Sequence, residues 1–348
     1  ETYKSFKVRM KQGIFWNYLE HNPKEPIIEE EKDYPCKYIN PKTNNNYLFK
    51  VTYFEKKINI DIFHSLTDGN SGNIFFKEII YNYLELMYPD VFKKEKRKSK
   101  KIEYDTEDSY IKNYDKKAKS NASSKRAYII KGKKLKLGAI GVIHEIIDLE
   151  DLKKQCETND CTITQYLTAV LIYAIYEENY KSNNGKKPIK VCIPVNLKKY
   201  FPSKTMSNFF SYITLEAEAH KENLDTFERI LEFVKEDFKK RLTIEEIMRT
   251  MSANVKLGNN PFIKIIPLIL KRALVRISYI EIRKYTTITF SNIGRMGIIG
   301  KYKDYIEYFL MLIAPEPVEK IKCSSCKFEN KMTFTFTSIL QDVKIEKK

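Results

Sequence analysis

At 348 residues, with 43% hydrophobic and 13% aromatic residues, the chain can bury a real core as one large domain or two of ordinary size, which excludes a disordered or fibrous protein. Its formal charge of +17 is mostly lysine spread along the chain, with only ten arginines. Readers of bases and phosphates lean on arginine's planar fork, so this composition reads as the mark of an AT-rich genome and no nucleic-acid partner is expected.

The sequence opens on Glu1 rather than Met, so the numbering is expected to begin inside the natural protein. Residues Tyr47 to Phe54 and Ile58 to His64 read as two strands joined through Glu55-Lys56-Lys57, a hairpin. After Gly69, residues Phe76, Ile79, Ile80, Tyr83, Leu84 and Met87 fall at helical spacing, and Pro89 ends the helix. From Phe92 to about Lys125 the character changes. The charge block 94–101 and the polar residues after it read as a solvated surface connection.

The second half starts near Arg126. Ile140 to Ile147 reads as a strand and Leu149 to Glu157 as a short helix. Thr162 and Gln165 fit a capping box, opening a helix with Tyr166, Leu167, Val170, Leu171 and Ile175 on one face. Ile189 to Val195 and Ser211 to Ala217 are strands, followed by a helix through Leu224, Phe227, Ile230, Leu231, Val234 and Phe238. Thr243 and Glu246 form a second capping box, for a helix reaching about Val255. Pro261 to Ile282 carries Lys264, Lys271, Arg272 and Arg276 and contains Pro267. It reads as a kinked, partly buried helix, and it allows a membrane-surface contact. No apolar run reaches the roughly 18–20 residues of a membrane span. Thr286 to Ser291, Tyr305 to Ile313 and Met332 to Leu340 complete the strands. This mixed order, with no βαβ rhythm and no dinucleotide glycine fingerprint, argues for a two-layer α/β sandwich, or two of them.

Six cysteines in strand-like or helical surroundings suit free thiols in a reducing compartment, and a cytoplasmic location is expected. Cys323 and Cys326 form a lone CxxC without the second pair that a zinc site needs, and they lead into a strand rather than opening a helix as a redox pair would. Incidental thiols are expected, and no metal.

The chemistry concentrates in Ile58 to Gly69. Alternation along the strand places Ile58, Ile60, Ile62 and His64 on one face. His64 would stand on the apolar face where the strand stops, held in one tautomer with one nitrogen free, as a general base requires. Asp68 can fix the turn, and Gly69 permits a backbone conformation that a side chain would hinder. His21, His144 and His220 lack such surroundings and read as surface or structural. Tyr53 and Tyr212 read as core packing, although either could line a channel.

Phe63-His64-Ser65-Leu66-Thr67-Asp68-Gly69 resembles the HxxxDG active-site motif of the CoA-dependent acyltransferase superfamily. That group includes chloramphenicol acetyltransferase, plant HxxxDG acyltransferases and peptide-synthetase condensation domains, and His64 to Leu86 looks most like the bacterial alcohol acetyltransferase branch. Ile193 to Lys198 resembles the superfamily's strand segment, with lysine where arginine is more usual at position 198. Ser207-Asn208-Phe209-Phe210 resembles its asparagine-phenylalanine stretch, and Thr289 to Gly294 its late "SN-G" segment.

The resemblance implies an α/β fold of two chloramphenicol-acetyltransferase-like subdomains, each a mixed sheet with helices packed on it, meeting at a central channel. Their expected spans are 1–91, truncated at its start, and 126–348, with 92–125 as the basic crossover. It also implies an acyltransferase that moves an acyl group from acyl-CoA, or from an acyl-carrier protein, to a small-molecule alcohol or amine by direct attack. His64 would be the general base, Asp68 structural through an ion pair and Gly69 the residue that keeps the turn open. Ser291, Asn292 and Asn208 are the candidates for the oxyanion and channel. A net positive field favours a phosphate-bearing donor. Departures are plain: Phe63 replaces the first of the two histidines of condensation domains, the DFGWG segment of the plant enzymes has no match, and an arginine partner for Asp68 could lie outside this sequence. A catalytically silent binding module on the same fold and a lysine-driven binder of anionic surfaces or nucleic acid are the competing readings.

Overall fold

The computed structural model describes residues 3–93, 107–118, 125–219 and 223–348. The charge block 94–101 and His220 lie outside the described residues.

In chain order, a hairpin of β1 (Val8–Gln12) and β2 (Asn17–His21) precedes β3 (Ile28–Glu30), β4 (Phe49–Phe54) and β5 (Lys57–Ile62). β3 runs parallel to β4, and β4 pairs antiparallel with β5 from Phe49–Ile62 to Phe54–Lys57. The turn between them holds Glu55 at a positive φ of 50°. The long helix α1 (Gly69–Met87) follows, then the short α2 (Pro89–Phe92) and α3 (Ser109–Asn113).

The rest builds one larger sheet. Its elements are β6 (Gly141–Asp148), α4 (Leu149–Thr158), α5 (Ile163–Ile175), β7 (Ile189–Asn196), β8 (Phe210–Ala217), α6 (Phe227–Arg241), α7 (Ile244–Asn259), α8 (Pro261–Ile265), α9 (Leu268–Arg283), β9 (Ile288–Arg295), β10 (Ile321–Phe328), β11 (Lys331–Ser338) and α10 (Lys344–Lys347). The strand order is β6-β11-β10-β9-β7-β8, with parallel pairs at β10/β9 and β9/β7 and antiparallel pairs elsewhere. The first expected capping box is complete: Thr162 accepts from the Gln165 N–H while the Gln165 side chain accepts back from Thr162. The second is only half formed, because Thr243 accepts from the Glu246 N–H while the Glu246 carboxylate pairs with Arg249 at 2.6 Å. The main core gathers apolar residues of α4 to α7 and the inner strands, among them Leu171, Ile175, Val191, Leu215, Val234 and Phe290.

Helix α1 joins the two sheets, because its apolar stripe is wide enough to serve two cores. Ile74, Phe75 and Ile79 pack toward Phe6, Phe49 and Val51 of the N-terminal part. Phe76, Ile80, Tyr81 and Leu84 pack against Met296, Ile298, Tyr302, Phe309 and Phe328 of the C-terminal part. Burying such a stripe contributes roughly 25 cal/mol per Å² of apolar surface, so α1 couples the halves energetically as well as in sequence.

Three expectations change. Residues 306–314 form no strand. Side chains of the large sheet hold this segment in place of a backbone ladder: the Phe309 carbonyl accepts from the Thr333 hydroxyl at 2.8 Å and the Cys326 thiol at 3.3 Å, and the Met311 carbonyl from the Ser324 hydroxyl at 2.6 Å. The expected single kinked helix over Pro261 to Ile282 is two helices, α8 and α9, broken at Ile266–Pro267 and largely exposed. The CxxC leads into β11 as expected, but it also lies inside a strand of its own, β10. Cys323 and Cys326 are three apart, so they point to opposite faces, Cys323 into the main core and Cys326 toward α1. Mild oxidation of the folded protein is expected to leave them unlinked. A loss of two hydrogens localised to this peptide by mass spectrometry would contradict that placement.

Candidate active site

The turn after β5 carries the motif. The strand stops at Ile62, so His64 does not end it; it stands in a turn just beyond, closed by the Leu66 N–H donating to the Phe63 carbonyl at 2.8 Å. The ring is exposed rather than set on the apolar face. What fixes it comes from a distant part of the chain. Asn208, just ahead of β8, donates from Nδ2 to the His64 carbonyl at 2.6 Å, and its Oδ1 lies 3.2 Å from His64 Nδ1. Phe210 flanks the imidazole with ring centroids 5.2 Å apart.

Those two contacts decide the tautomer. If the Asn208 amide flipped, the 2.6 Å bond to the His64 carbonyl would be lost. Oδ1 must therefore accept, and the ring proton is assigned to Nδ1 by this network. Nε2 is left with its lone pair and has no hydrogen-bond partner among the described residues.

Asp68 sits one turn further on and is buried. It is the N-cap of α1: one carboxylate oxygen accepts from the Ser71 N–H at 2.8 Å. The other accepts from the Phe209 N–H at 3.0 Å, across 141 residues of sequence. Thr67 adds a third tie, its hydroxyl donating to the Met206 carbonyl at 2.5 Å. The HxxxDG turn is thus pinned to residues 206–209 at three successive places, through His64, Thr67 and Asp68. No ion pair to Asp68 is present among the described residues. Lys198, where the resemblance expects arginine, instead donates to the Ser71 hydroxyl at 2.6 Å. Burial lowers the pKa of Lys198, and the neighbouring Asp68 carboxylate opposes that shift.

Gly69 bears on packing rather than on a special dihedral angle. It is the first helical residue of α1, and its φ is not positive. A Cβ there would stand 3.2 Å from Ile293 Cδ1. Gly294 is the glycine with the left-handed backbone, at φ +81°, and its N–H donates to Asn292 Oδ1 at 2.9 Å.

The turn opens on a cleft of about 3160 Å³ between the halves. That is several times the roughly 300–1,000 Å³ of a pocket for one small molecule, so more than one can be accommodated. Ser291 and Asn292 of β9 line it together with His64 and Asp68. Asn292 is already engaged, donating to Thr164 at 3.1 Å as well as accepting from Gly294. The Ser291 hydroxyl has no partner among the described residues. Asn208 reaches His64 rather than standing apart as a channel residue. His144, expected to be surface or structural, is exposed and also lines the cleft, whereas His21 is simply exposed. Tyr53 and Tyr212 do not pack in the core; they are 49% and 40% exposed, and Tyr212 lines the cleft.

Tyr110 was not foreseen. It falls in the stretch expected to be a surface connection, yet its hydroxyl donates to the Phe210 carbonyl at 2.7 Å and accepts from the Phe210 N–H at 3.0 Å. Burial pushes its pKa up to about 12, so it stays protonated and holds the residue that flanks the imidazole. The usable signal was Asp108, which accepts from the Tyr110 and Ile111 N–H groups and starts α3.

A family model described as alcohol acetyltransferase matches residues 111–217. The trichothecene 15-O-acetyltransferase of Fusarium sporotrichioides is similar in structure, with TM-score 0.56 and 8% identity over 99% of this chain and 80% of that one. The epimerization domain from the third module of tyrocidine synthetase B gives 0.54 and 11%, over 99% and 82%. The first condensation domain of the CDA synthetase gives 0.53 and 10%, over 97% and 79%. Comparison with curated proteins finds no match. The chain therefore has the two-subdomain α/β fold of these acetyltransferase and condensation-domain structures. With its central segment matching the alcohol acetyltransferase family model, acyl transfer is the class of chemistry these likenesses support. No helix among the described residues is long and apolar enough to cross a membrane.

Proposed function

We propose that this protein transfers an acyl group from the thioester of CoA, or of a carrier protein, to a hydroxyl or amine, with His64 as general base. The observation that supports the reading is the fixed imidazole, its Nδ1 held by Asn208 and its residue lining the large cleft. The acceptor's proton passes to Nε2 as its oxygen or nitrogen attacks the thioester carbonyl. The tetrahedral intermediate then collapses, the C–S bond breaks, and the leaving thiolate takes the proton back from the imidazolium. No acyl-enzyme is needed. Ser291 is the favoured donor to the oxyanion, because the Asn292 amide is committed to Thr164 and Gly294.

The direct test is a panel of acyl-CoAs with alcohols and amines, read as free thiol. Acceptor-dependent release supports transfer, and no release with any pair favours a silent binding module. Asn208→Ala addresses the tautomer. It should leave the fold intact and lower kcat by about tenfold with KM little changed, as expected for a step dependent on proton transfer. An unchanged kcat would assign Asn208 a structural part only.

A further inference from the structure

Helix α9 is amphipathic in the inverted sense. Its contacts with the protein are largely polar, although Val275 and Ile282, on the same side as Lys271, are exposed. Lys271 is buried and donates to the Phe15 carbonyl at 2.9 Å, Arg272 donates to Gln12 at 3.2 Å, and Arg283 pairs with Glu316 at 2.6 Å and Glu319 at 3.2 Å. Its outward side, at 3.6 residues per turn, is Ile269, Leu270, Ala273, Leu274, Ile277 and Ile280, all exposed. Ile269 is 75% and Ile277 63% exposed, where a water-facing helix would carry charges.

The patch does not end with the helix. The Leu268 N–H donates to the Ile14 carbonyl at 2.8 Å, and Lys271 Nζ sits 3.3 Å from the centre of the Trp16 ring. The β1–β2 hairpin tip is thereby fixed beside α9, with Ile14 at 76% and Trp16 at 46% exposure. Just ahead of α9 in the chain, Phe262 and Ile265 of α8 are 76% and 68% exposed. Soluble monomers rarely leave so many large apolar side chains contiguous and wet.

The charge around it selects the partner. Between Glu246 and Glu281 the chain has six basic residues, Arg249, Lys256, Lys264, Lys271, Arg272 and Arg276, and no acidic one. Arg249 pairs with Glu245 and Glu246, and Arg9 and Lys11 of the hairpin pair with Glu20, so the exposed cations left beside the apolar face are Lys264, Arg272 and Arg276. A second copy meeting this surface about a two-fold axis would set cation against cation. An apolar face ringed by cations, with a tryptophan at its edge, matches an anionic lipid surface.

We propose that α8, α9 and the β1–β2 tip dock this protein on anionic lipid bilayers, the apolar side chains entering the headgroup boundary and Lys264 and Arg276 lying against the phosphates. The inference is independent of the acyl-transfer reading. Trp16 is the chain's single tryptophan and lies beside α9 against Lys271, so it serves as the probe. With phosphatidylcholine vesicles containing phosphatidylglycerol, the protein should co-sediment and its tryptophan emission shift to the blue. Both effects should weaken with salt and be much smaller with pure phosphatidylcholine. Ile269→Glu with Ile277→Glu should abolish both without changing the melting temperature, since neither side chain is packed. Lys264→Gln and Arg276→Gln should each weaken partitioning by about fivefold. The proposal is overturned if the wild type stays unbound with the anionic vesicles. It is equally overturned if the double glutamate variant binds as well as the wild type, or if the lipid-free protein is a dimer that shields Trp16.

Discussion

His64→Ala is expected to lower turnover by about 10²–10⁴-fold, the usual contribution of a positioned general base, with the fold unchanged. The two halves of this expectation rest on different observations. The imidazole is exposed, and its one hydrogen bond is the 3.2 Å contact from Nδ1 to Asn208, so its removal costs little packing. The stronger tie, from Asn208 Nδ2 to the residue's carbonyl, belongs to the backbone and survives in alanine. Circular dichroism and the melting temperature should match the wild type, and acyl-CoA binding measured by calorimetry should persist. Thiol release should fall, and added imidazole should restore part of it by supplying the missing base. Wild-type turnover in this variant removes His64 from the chemistry, and a collapsed melting curve would show that the ring serves structure.

The local part of this site was legible in the sequence. Strand, turn and helix around His64 are short-range patterns, and the apolar stripe of α1 shows in its spacing. The details slipped where two arrangements share one pattern. Alternation through Phe63 to His64 reads as strand, but the Phe63 and Leu66 backbone bonds turn the chain after Ile62. Gly69 reads as conformational freedom, and only coordinates reveal Ile293 against it. Periodicity likewise finds α9 without telling which side faces water, since the moment of a helix is the same whether its apolar face is buried or bare. The long-range partners were illegible for a plainer reason. Asn208 is 144 residues from His64, and no single-sequence pattern encodes a pairing at that separation. Tyr110 is hidden in the same way, in a polar stretch whose composition says only that it is solvated.

Asp68→Ala should cost both stability and activity, and Asp68→Asn about half as much stability. In the wild type each carboxylate oxygen has its own task, one capping α1 through Ser71 and the other taking the Phe209 N–H. A lost N-cap costs about 0.5–2 kcal/mol. A hydrogen bond from a buried group to a charged partner contributes about 1.5–3 kcal/mol, and its removal strands the buried Phe209 N–H. Together these predict a loss of about 3 kcal/mol for alanine, read as a lower urea midpoint at unchanged slope. Asparagine keeps one acceptor oxygen and presents an amide to the other N–H, so only one of the two bonds can survive. Activity falls for a different reason. Asp68 ties the turn to Phe209, whose neighbour Asn208 sets the tautomer of His64 and whose other neighbour Phe210 flanks the ring. Loosening that tie lets the imidazole swing in the cleft, which should lower kcat more than it raises KM. Lys198→Ala provides the contrast: it removes a cation that interacts with the carboxylate but neither of its backbone bonds. If Lys198→Ala destabilised as strongly as Asp68→Ala, an electrostatic pair rather than the two backbone hydrogen bonds would be what holds the turn.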